Sequence, residues 1–115
     1  MNLDDDDTVD ELPARPRKTI PAADRELLEL AARALGAVRV EDVEGEEWLN
    51  LHFDDRPTMN GWNPLLHSDD ALILAVRIPL LNTLGWWKFY DKTLEPVAAT
   101  CRAFTRAAAE IGKTK

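Results

Sequence analysis

The sequence predicts an α+β fold in which three main helices cover a small antiparallel sheet. Two observations carry this prediction. Apolar residues recur with the 3.6-residue period of a helix in three separate segments. They alternate with period two in two short segments that follow the first helix. Because strands that are neighbours in sequence tend to pair locally, the two short segments should form an antiparallel hairpin.

The length of 115 residues fits a single domain, preceded by a tail. Residues 1–23 hold an acidic block at Asp4–Asp7, a basic block at 15–18 and three prolines. Such a segment has too few apolar residues to offset the entropy of ordering it, so we expect a flexible tail. An acidic arm that docks on a basic partner is the alternative. Residues 24–115 form the predicted α+β domain.

The first predicted helix follows Asp24, whose side chain we expect to cap the first turn. Gly36 suits the left-handed conformation just past the last turn. Arg25, Glu29 and Arg33 are spaced by four, so their opposite charges should meet on the exposed side. The apolar face of this helix is formed by Leu27, Leu28, Leu30, Ala31, Ala34 and Leu35.

Val38–Val40 and Leu49–Phe53 are the predicted strands, and Glu44–Glu46 is the predicted turn between them. Asp54–Pro57 and Asn60–Gly61 are predicted as loop. The face of the second strand that should point inward holds Leu49, Leu51 and Phe53.

The second helix is predicted to be capped by Ser68 and to end near Ile78, because Pro79 cannot continue it. Leu80–Asn82 and Trp86–Tyr90 are predicted as short extended segments. The inner stripe of the helix is assigned to Ala71, Leu72, Ala75 and Val76. Ile73 and Leu74 widen this stripe, so we expect much of the helix to be buried.

The third helix is predicted to begin at Pro96 and to end at Gly112. Two interpretations stay open for Trp86 and Trp87. Either an exposed tryptophan here anchors a protein interface, or both residues pack in the core or at the rim of the sheet. Trp62 is expected to pack over the start of the second helix. The apolar seam of the third helix holds Val97, Cys101, Phe104, Ala108 and Ile111.

The composition argues against several classes of protein. Twenty-one acidic residues against fourteen basic ones give a net charge of −7, which disfavours direct binding to nucleic acid. The one cysteine rules out a disulfide framework. No apolar run approaches about 18 residues, so no membrane span is predicted. The first residues do not resemble a signal peptide, and we expect a cytoplasmic protein.

Three segments together resemble the phage ABA sandwich domain, a family of small bacteriophage proteins. They are Arg25–Gly36, Glu95–Gly112, and a central motif that joins Trp62–Leu65 to Asp69–Ile78. The resemblance covers roughly residues 24–112, and it implies an α/β/α-type sandwich encoded by a phage or prophage. It implies no reaction and no functional residues. The chain departs from the family in its acidic tail and in the short, Trp-rich segment Leu80–Tyr90.

Candidate catalytic groups are few. The glycines are scattered singly, so no phosphate-binding loop is predicted. Cys101 lies on the apolar seam of the third helix, and we expect a buried, unreactive thiol. The residues that could converge on a metal match no ligand spacing: His52, Asp54, Asp55, His67 and Asp69. We therefore predict no catalytic, cofactor-binding or metal-binding residue.

The most informative feature is an acidic stretch. Residues 41–70 contain nine acidic residues against Arg56 alone, a sum of −8, whereas residues 85–115 sum to +3. If the hairpin and the start of the second helix lie on one side, that side is strongly negative and attracts basic partners. The predicted protein-interaction residues are Glu41, Asp42, Glu44, Glu46, Glu47, Asp54, Asp55, Asp69 and Asp70.

These features predict a non-enzymatic phage or prophage protein that binds a host or phage protein with a basic surface. A narrower form is an acidic, anti-CRISPR-like inhibitor of a host nucleic-acid-binding complex, acting in the cytoplasm of an infected bacterium. A phage structural or assembly accessory and a metal-dependent hydrolase are the alternatives. Two further interpretations stay open: the protein self-associates, or the acidic stretch serves solubility alone.

Overall fold

The computed structural model describes residues 19–79, 83 and 85–114 of the chain. The predicted α+β class, with three main helices and a small antiparallel sheet, is confirmed. The predicted flexible tail lies outside the described residues as far as position 18. The elements are α1 (Ala22–Ala34), β1 (Arg39–Asp42), β2 (Leu49–His52), β3 (Met59–Trp62), α2 (Ser68–Arg77), a 3-10 helix (Trp86–Phe89) and α3 (Pro96–Gly112).

The sheet is an antiparallel meander in the order β1-β2-β3. The predicted hairpin of β1 and β2 is confirmed, with Val40 opposite Leu51. The prediction of loop at Asn60–Gly61 is wrong, because these residues belong to β3. Leu51 pairs with Met59 and Leu49 with Trp62, so β3 holds one extra residue between the two pairs. Gly61 has φ +71°, a conformation that suits this bulge. The bulge interrupts the alternation of inward and outward side chains, so the sequence pattern did not indicate a strand here.

The core lies on one face of the sheet. Leu49 and Leu51 are buried there, while Asn50 and His52, on the other face, are half-buried, as the alternation predicted. Buried residues of all three helices join this core, among them Leu28, Leu74 and Ala108. The hydrophobic effect of burying these side chains therefore holds helices and sheet together.

α1 begins at Ala22, three residues before the predicted start at Arg25, with Pro21 at its N-cap. The prediction that Asp24 caps the helix is wrong, because its carboxylate accepts a 2.9 Å hydrogen bond from Arg102 of α3. The predicted ion pairs of Glu29 with its neighbours four residues away are confirmed. Gly36 has φ +97°, which confirms its left-handed conformation after the helix.

α2 begins at Ser68, but its N-cap residue is His67, so the predicted cap by Ser68 is wrong. The predicted inner stripe is also wrong in part. Leu72 and Val76 are 60% and 70% exposed, whereas Leu74 is fully buried. Residues 71–76 of this helix are all apolar, so periodicity could not decide which face turns inward.

The segment Trp86–Tyr90 is not extended as predicted. Gly85 at φ +85° starts a 3-10 helix over Trp86–Phe89, and Trp86 packs edge-on against Phe104 of α3 at 4.6 Å between ring centroids. The predicted extended segment Leu80–Asn82 lies outside the described residues. Short aromatic runs carry no period that separates a strand from a turn of helix.

α3 spans Pro96–Gly112 as predicted. Glu95 is its N-cap, and the Glu95 carboxylate accepts hydrogen bonds of 3.0–3.2 Å from first-turn N–H groups. The seam residues Cys101 and Ala108 are buried, but Val97 is exposed. The regular apolar period between Pro96 and Gly112 explains why this helix was predicted so closely.

Candidate functional site

The β1–β2 hairpin carries the densest group of the predicted interaction residues. The turn closes through a 3.1 Å hydrogen bond from Glu46 N–H to the Val43 carbonyl, and Gly45 takes φ +80°. Glycine adopts this backbone conformation at little steric cost. We call the carboxylates of this region the hairpin acids: Asp42, Glu44, Glu46 and Glu47.

A cavity of about 310 Å³ lies beside the hairpin. We call it the hairpin groove. Three hairpin acids contribute to its lining, together with the apolar side chains of Ile20, Val43 and Trp48 and the cation Arg25. The complete lining is Thr19, Ile20, Arg25, Asp42, Val43, Glu44, Gly45, Glu46 and Trp48. The groove therefore combines an apolar wall with carboxylates.

Arg25 of α1 is held within this groove by two carboxylates. Its Nε donates to Asp42 at 2.8 Å, and its Nη1 donates to Glu29 at 3.2 Å. The hydrogen bond to Asp42 raises the pKa of Arg25, since removing the proton would break this pair. Asp42 and Arg25 therefore form an ion pair beside the groove, whose lining also includes Glu44 and Glu46.

Trp48 separates the hairpin groove from a second cavity of about 460 Å³ on the polar face of the sheet. That second cavity is lined by Val43, Trp48, Asn50, Asn60, Gly61 and His67. The ring of Trp48 lies 6.4 Å from the His67 ring, and both residues leave part of their side chains exposed. Sequence analysis did not single out Trp48. The signal available in the sequence was an aromatic residue directly after two glutamates.

Glu41 and Asp42 diverge, although they are neighbours in β1. Asp42 pairs with Arg25 on the helical side, whereas Glu41 lies on the polar face of the sheet and contacts His52 Nε2 at 2.8 Å. The hydrogen bond to His52 lowers the pKa of the Glu41 carboxyl, and the charge of Arg39 acts in the same direction. Alternation along the strand thus sends these two acids to opposite faces.

Asp70 has a structural role at the start of α2. Its Oδ2 accepts from Asn63 N–H at 2.9 Å and lies 3.2 Å from His67 Nδ1. The Asn63 side chain donates in turn to the Glu47 carbonyl, which ties the hairpin to α2. Asp69, the next residue, lines a different groove between α2 and α3.

Asp54 and Asp55 lie at the other end of β2 from the hairpin turn. Their loop is fixed by Arg56, which donates to the Leu35 carbonyl at the end of α1 at 2.6 Å and stacks over Phe53 at 4.3 Å. Of the nine predicted interaction residues, Asp42, Glu44 and Glu46 line the hairpin groove together. Glu47 and Asp69 line other cavities, and Asp70 is hydrogen-bonded within the fold.

The five residues considered as metal ligands are not brought together. His52 contacts Glu41 and Thr58, and His67 contacts Asp70. Across the part of the chain that the structure describes, no group of three or more His, Cys, Asp or Glu side chains has a geometry that could hold a metal ion. These histidines serve local hydrogen bonding.

Cys101 is buried as predicted, and burial raises the pKa of its thiol. Trp62 is also buried, at 1% exposure, and belongs to the core. Of the two neighbouring tryptophans, Trp86 is half-buried against α3, and Trp87 is 57% exposed. The exposed Trp87 lies on the 3-10 helix and does not line the hairpin groove.

Comparison of the chain with models of known protein families, with curated proteins and with solved structures found no match. Among the described residues, no helix has the length and apolar character needed to cross a membrane.

Proposed function

We propose that this chain is a non-enzymatic protein that binds a protein partner with a basic surface, and that the β1–β2 hairpin is the contact. The observation that carries this proposal is the hairpin groove, where Asp42, Glu44 and Glu46 line one cavity beside Trp48. Carboxylates on a protruding turn attract a cationic partner over a distance, and an aromatic wall supplies contact area once it arrives.

The proposed surface is smaller than the sequence suggested. It consists of the hairpin acids, because Asp54 and Asp55 lie beyond the other end of β2 and Asp70 is hydrogen-bonded within the fold. The net charge of −7 supports a basic partner in general. The hairpin acids lie on the part of the molecule that would contact this basic partner.

A narrower form of the proposal is that the partner is a nucleic-acid-binding protein of a host defence system, which the hairpin occupies in place of phosphates. Its support is the acidic charge of the whole chain and the sequence resemblance to small phage proteins. A groove that holds a nucleic acid is rich in Lys and Arg, so carboxylates at suitable spacing compete for it.

The experiment is a pull-down from a bacterial lysate, followed by binding of the purified partner at several salt concentrations. We expect the variant with Glu44→Gln, Glu46→Gln and Glu47→Gln to lose the partner. Binding by the unchanged chain should weaken steeply with added salt, because exposed charges are screened beyond about 8–10 Å at physiological ionic strength. In the narrower form, added nucleic acid should displace the chain.

A matched control removes three other predicted acids, Asp54→Asn, Asp55→Asn and Asp69→Asn, so that the change in net charge is the same. This control should retain the partner. Equal loss in both variants would mean that binding follows overall charge and has no centre at the hairpin. Full retention by the hairpin variant would overturn the proposal.

A second candidate, a structural or assembly role, is favoured by a separate observation. Leu72 and Val76 of α2 and Val97 of α3 are each more than half exposed, and Leu72 and Val97 line a cavity of about 390 Å³ between the two helices. Exposed apolar clusters of this kind favour association. Sedimentation at increasing concentration tests it: growing complexes that Leu72→Ser and Val76→Ser abolish would support assembly.

A further inference from the structure

The outer edge of β1 has no strand beside it among the described residues. The order β1-β2-β3 places β1 at the edge of the sheet, paired with β2 along one side. No main-chain hydrogen bond joins Arg39–Asp42 to a described residue outside the sheet. The side chains of the strand are exposed or half-exposed, and Val38 just before it is exposed. An edge strand of this kind presents N–H and C=O groups that can pair with another chain.

Two opposite charges of β1 share one face of the sheet. Arg39 is opposite His52 of β2 and Glu41 is opposite Asn50, so both charged residues lie on the polar face. The Glu41 carboxylate is held there by its 2.8 Å contact with His52 Nε2. Arg39 forms no hydrogen bond or ion pair with the other residues that the structure describes. The edge therefore offers one cation and one oriented anion, two residues apart.

The edge that these charges match is that of a second copy of the chain. In two antiparallel edges related by a two-fold axis, residues across from each other lie on the same face, so the axis passes a residue position. The possible centres within β1 are Arg39, Val40, Glu41 and Asp42. A charged residue at the centre would face its own copy, and like charges directly opposite destabilise a strand pair. A centre on Val40 instead places Arg39 of each copy opposite Glu41 of the other.

We infer that two copies of this chain associate through their β1 edges, antiparallel and centred on Val40, so that their sheets join into one. The symmetry makes two equal pairs of Arg39 with Glu41, one on each side of the axis. Opposite charges directly across an antiparallel pair stabilise it. Val38 and Val40 bring apolar surface to the same edge. This inference goes beyond the proposed function, because the hairpin turn takes no part in the contact.

Sedimentation velocity of the full chain, from about 10 μM to about 1 mM, tests this association. A pair of four-residue strands is a small interface, so we expect a reversible dimer with Kd between about 1 μM and 1 mM. Arg39→Glu and Glu41→Arg should each weaken it about tenfold or more, because each change places like charges opposite each other twice. Lys92→Glu, at an exposed loop position, changes the net charge as Arg39→Glu does and should leave the dimer unchanged. A chain that stays monomeric throughout overturns the inference.

Mixing the two single variants shows whether the charges meet between chains. In the mixture, two arginines of one chain face two glutamates of the other, so we expect a heterodimer at least as tight as the unchanged dimer. A change that acted within one chain would not produce this rescue. Circular dichroism reports whether Arg39→Glu and Glu41→Arg are folded. Folded single variants that do not associate on mixing would overturn the inference.

The competing surface for self-association is the apolar groove between α2 and α3. A variant with Leu72→Ser and Val76→Ser should keep the β1 dimer. NMR spectra of the unchanged chain, labelled with ¹⁵N and diluted stepwise, should shift at the amides of 38–42 and at their neighbours in β2. Shifts centred on 69–76 and 97–104, or a dimer abolished by Leu72→Ser and Val76→Ser, would overturn the inference. Binding of a basic partner at the hairpin is measured separately, so either proposal can fail alone.

Discussion

Gly112 is the position where one added methyl group should disturb the packing of α1 against α3 most directly. A Cβ atom built on Gly112 would lie 1.9 Å from the carbonyl oxygen of Leu30 and 2.7 Å from its carbonyl carbon. Ordinary contacts between non-bonded heavy atoms are about 3.5–4.0 Å. The obstacle is main chain and cannot rotate away, so Gly112→Ala must separate the helices or unwind the end of α3.

Two opposing terms set the size of the effect. Forcing a methyl group into a tightly packed contact costs about 1–3 kcal/mol. Alanine recovers about 0.5–1 kcal/mol, because glycine loses more chain entropy in a helix. If the last turn unwinds instead, the 3.0 Å hydrogen bond from Lys113 N–H to Ala109 is lost at about 0.5–1.5 kcal/mol. We expect Gly112→Ala to be destabilised by about 1 kcal/mol, which lowers Tm by about 4–8 °C.

Thermal unfolding followed by circular dichroism, with urea unfolding as a second probe, measures this change. Thr114→Ala, an exposed position two residues later, is the control and should stay within about 0.5 kcal/mol of the unchanged chain. An unchanged or raised Tm for Gly112→Ala would refute the reasoning, since the helix-propensity gain would then act without any steric cost. It would mean that α1 and α3 do not approach so closely at this end.

Three further predictions follow from local contacts. Glu95→Ala should destabilise the fold by about 1 kcal/mol in urea unfolding, because the α3 cap is lost, and Glu110→Ala on the same helix should not. The Glu41 carboxyl should titrate by NMR below its usual value of 4.5, and His52→Ala should move it upward. Because that pKa is lowered on folding, its contribution to stability is present above about pH 4.5 and is lost as pH falls through the lowered pKa. Cys101 should react with a thiol reagent far more slowly in the folded chain than in urea, since burial raises its pKa; equal rates would contradict that burial.

Elements whose apolar residues occupy one clear face were predictable from the sequence. α1, the β1–β2 hairpin and α3 combine a regular period with local signals at their ends, such as Gly36, Gly45 and Pro96. Each of these signals acts through residues close in sequence. Local chemistry was therefore enough to place them.

β3 and the buried face of α2 were not predictable in this way. β3 is four residues long, contains a bulge at Gly61, and exists as a strand because β2 is there to pair with it. On α2, the choice of Leu74 over Leu72 as the buried residue depends on how the helix meets the core. Neither the pairing of β3 nor the buried face of α2 can be predicted from the periodicity of neighbouring residues.

The candidate site, too, was predictable only in part from the sequence of the acidic stretch. Composition alone indicated a negative region between residues 41 and 70, and Glu44 and Glu46 line one groove because one short turn carries both. The pleat of β1 separates Glu41 from Asp42, and the length of β2 carries Asp54 away from the turn. Trp48 became a candidate contact residue once the cavities on its two sides were visible.

The amino-acid sequence by itself determined the class of fold, the two best-formed helices, the hairpin and the sign of the charge, because these depend on local period, turn chemistry and composition. The tertiary structure alone decided which carboxylates share a surface, which face of α2 is buried and why Gly112 is glycine. That residue ends α3 without a left-handed turn, and its missing side chain is what lets α3 approach the main chain of Leu30. Such distances between remote segments arise when the core closes, and no local pattern encodes them.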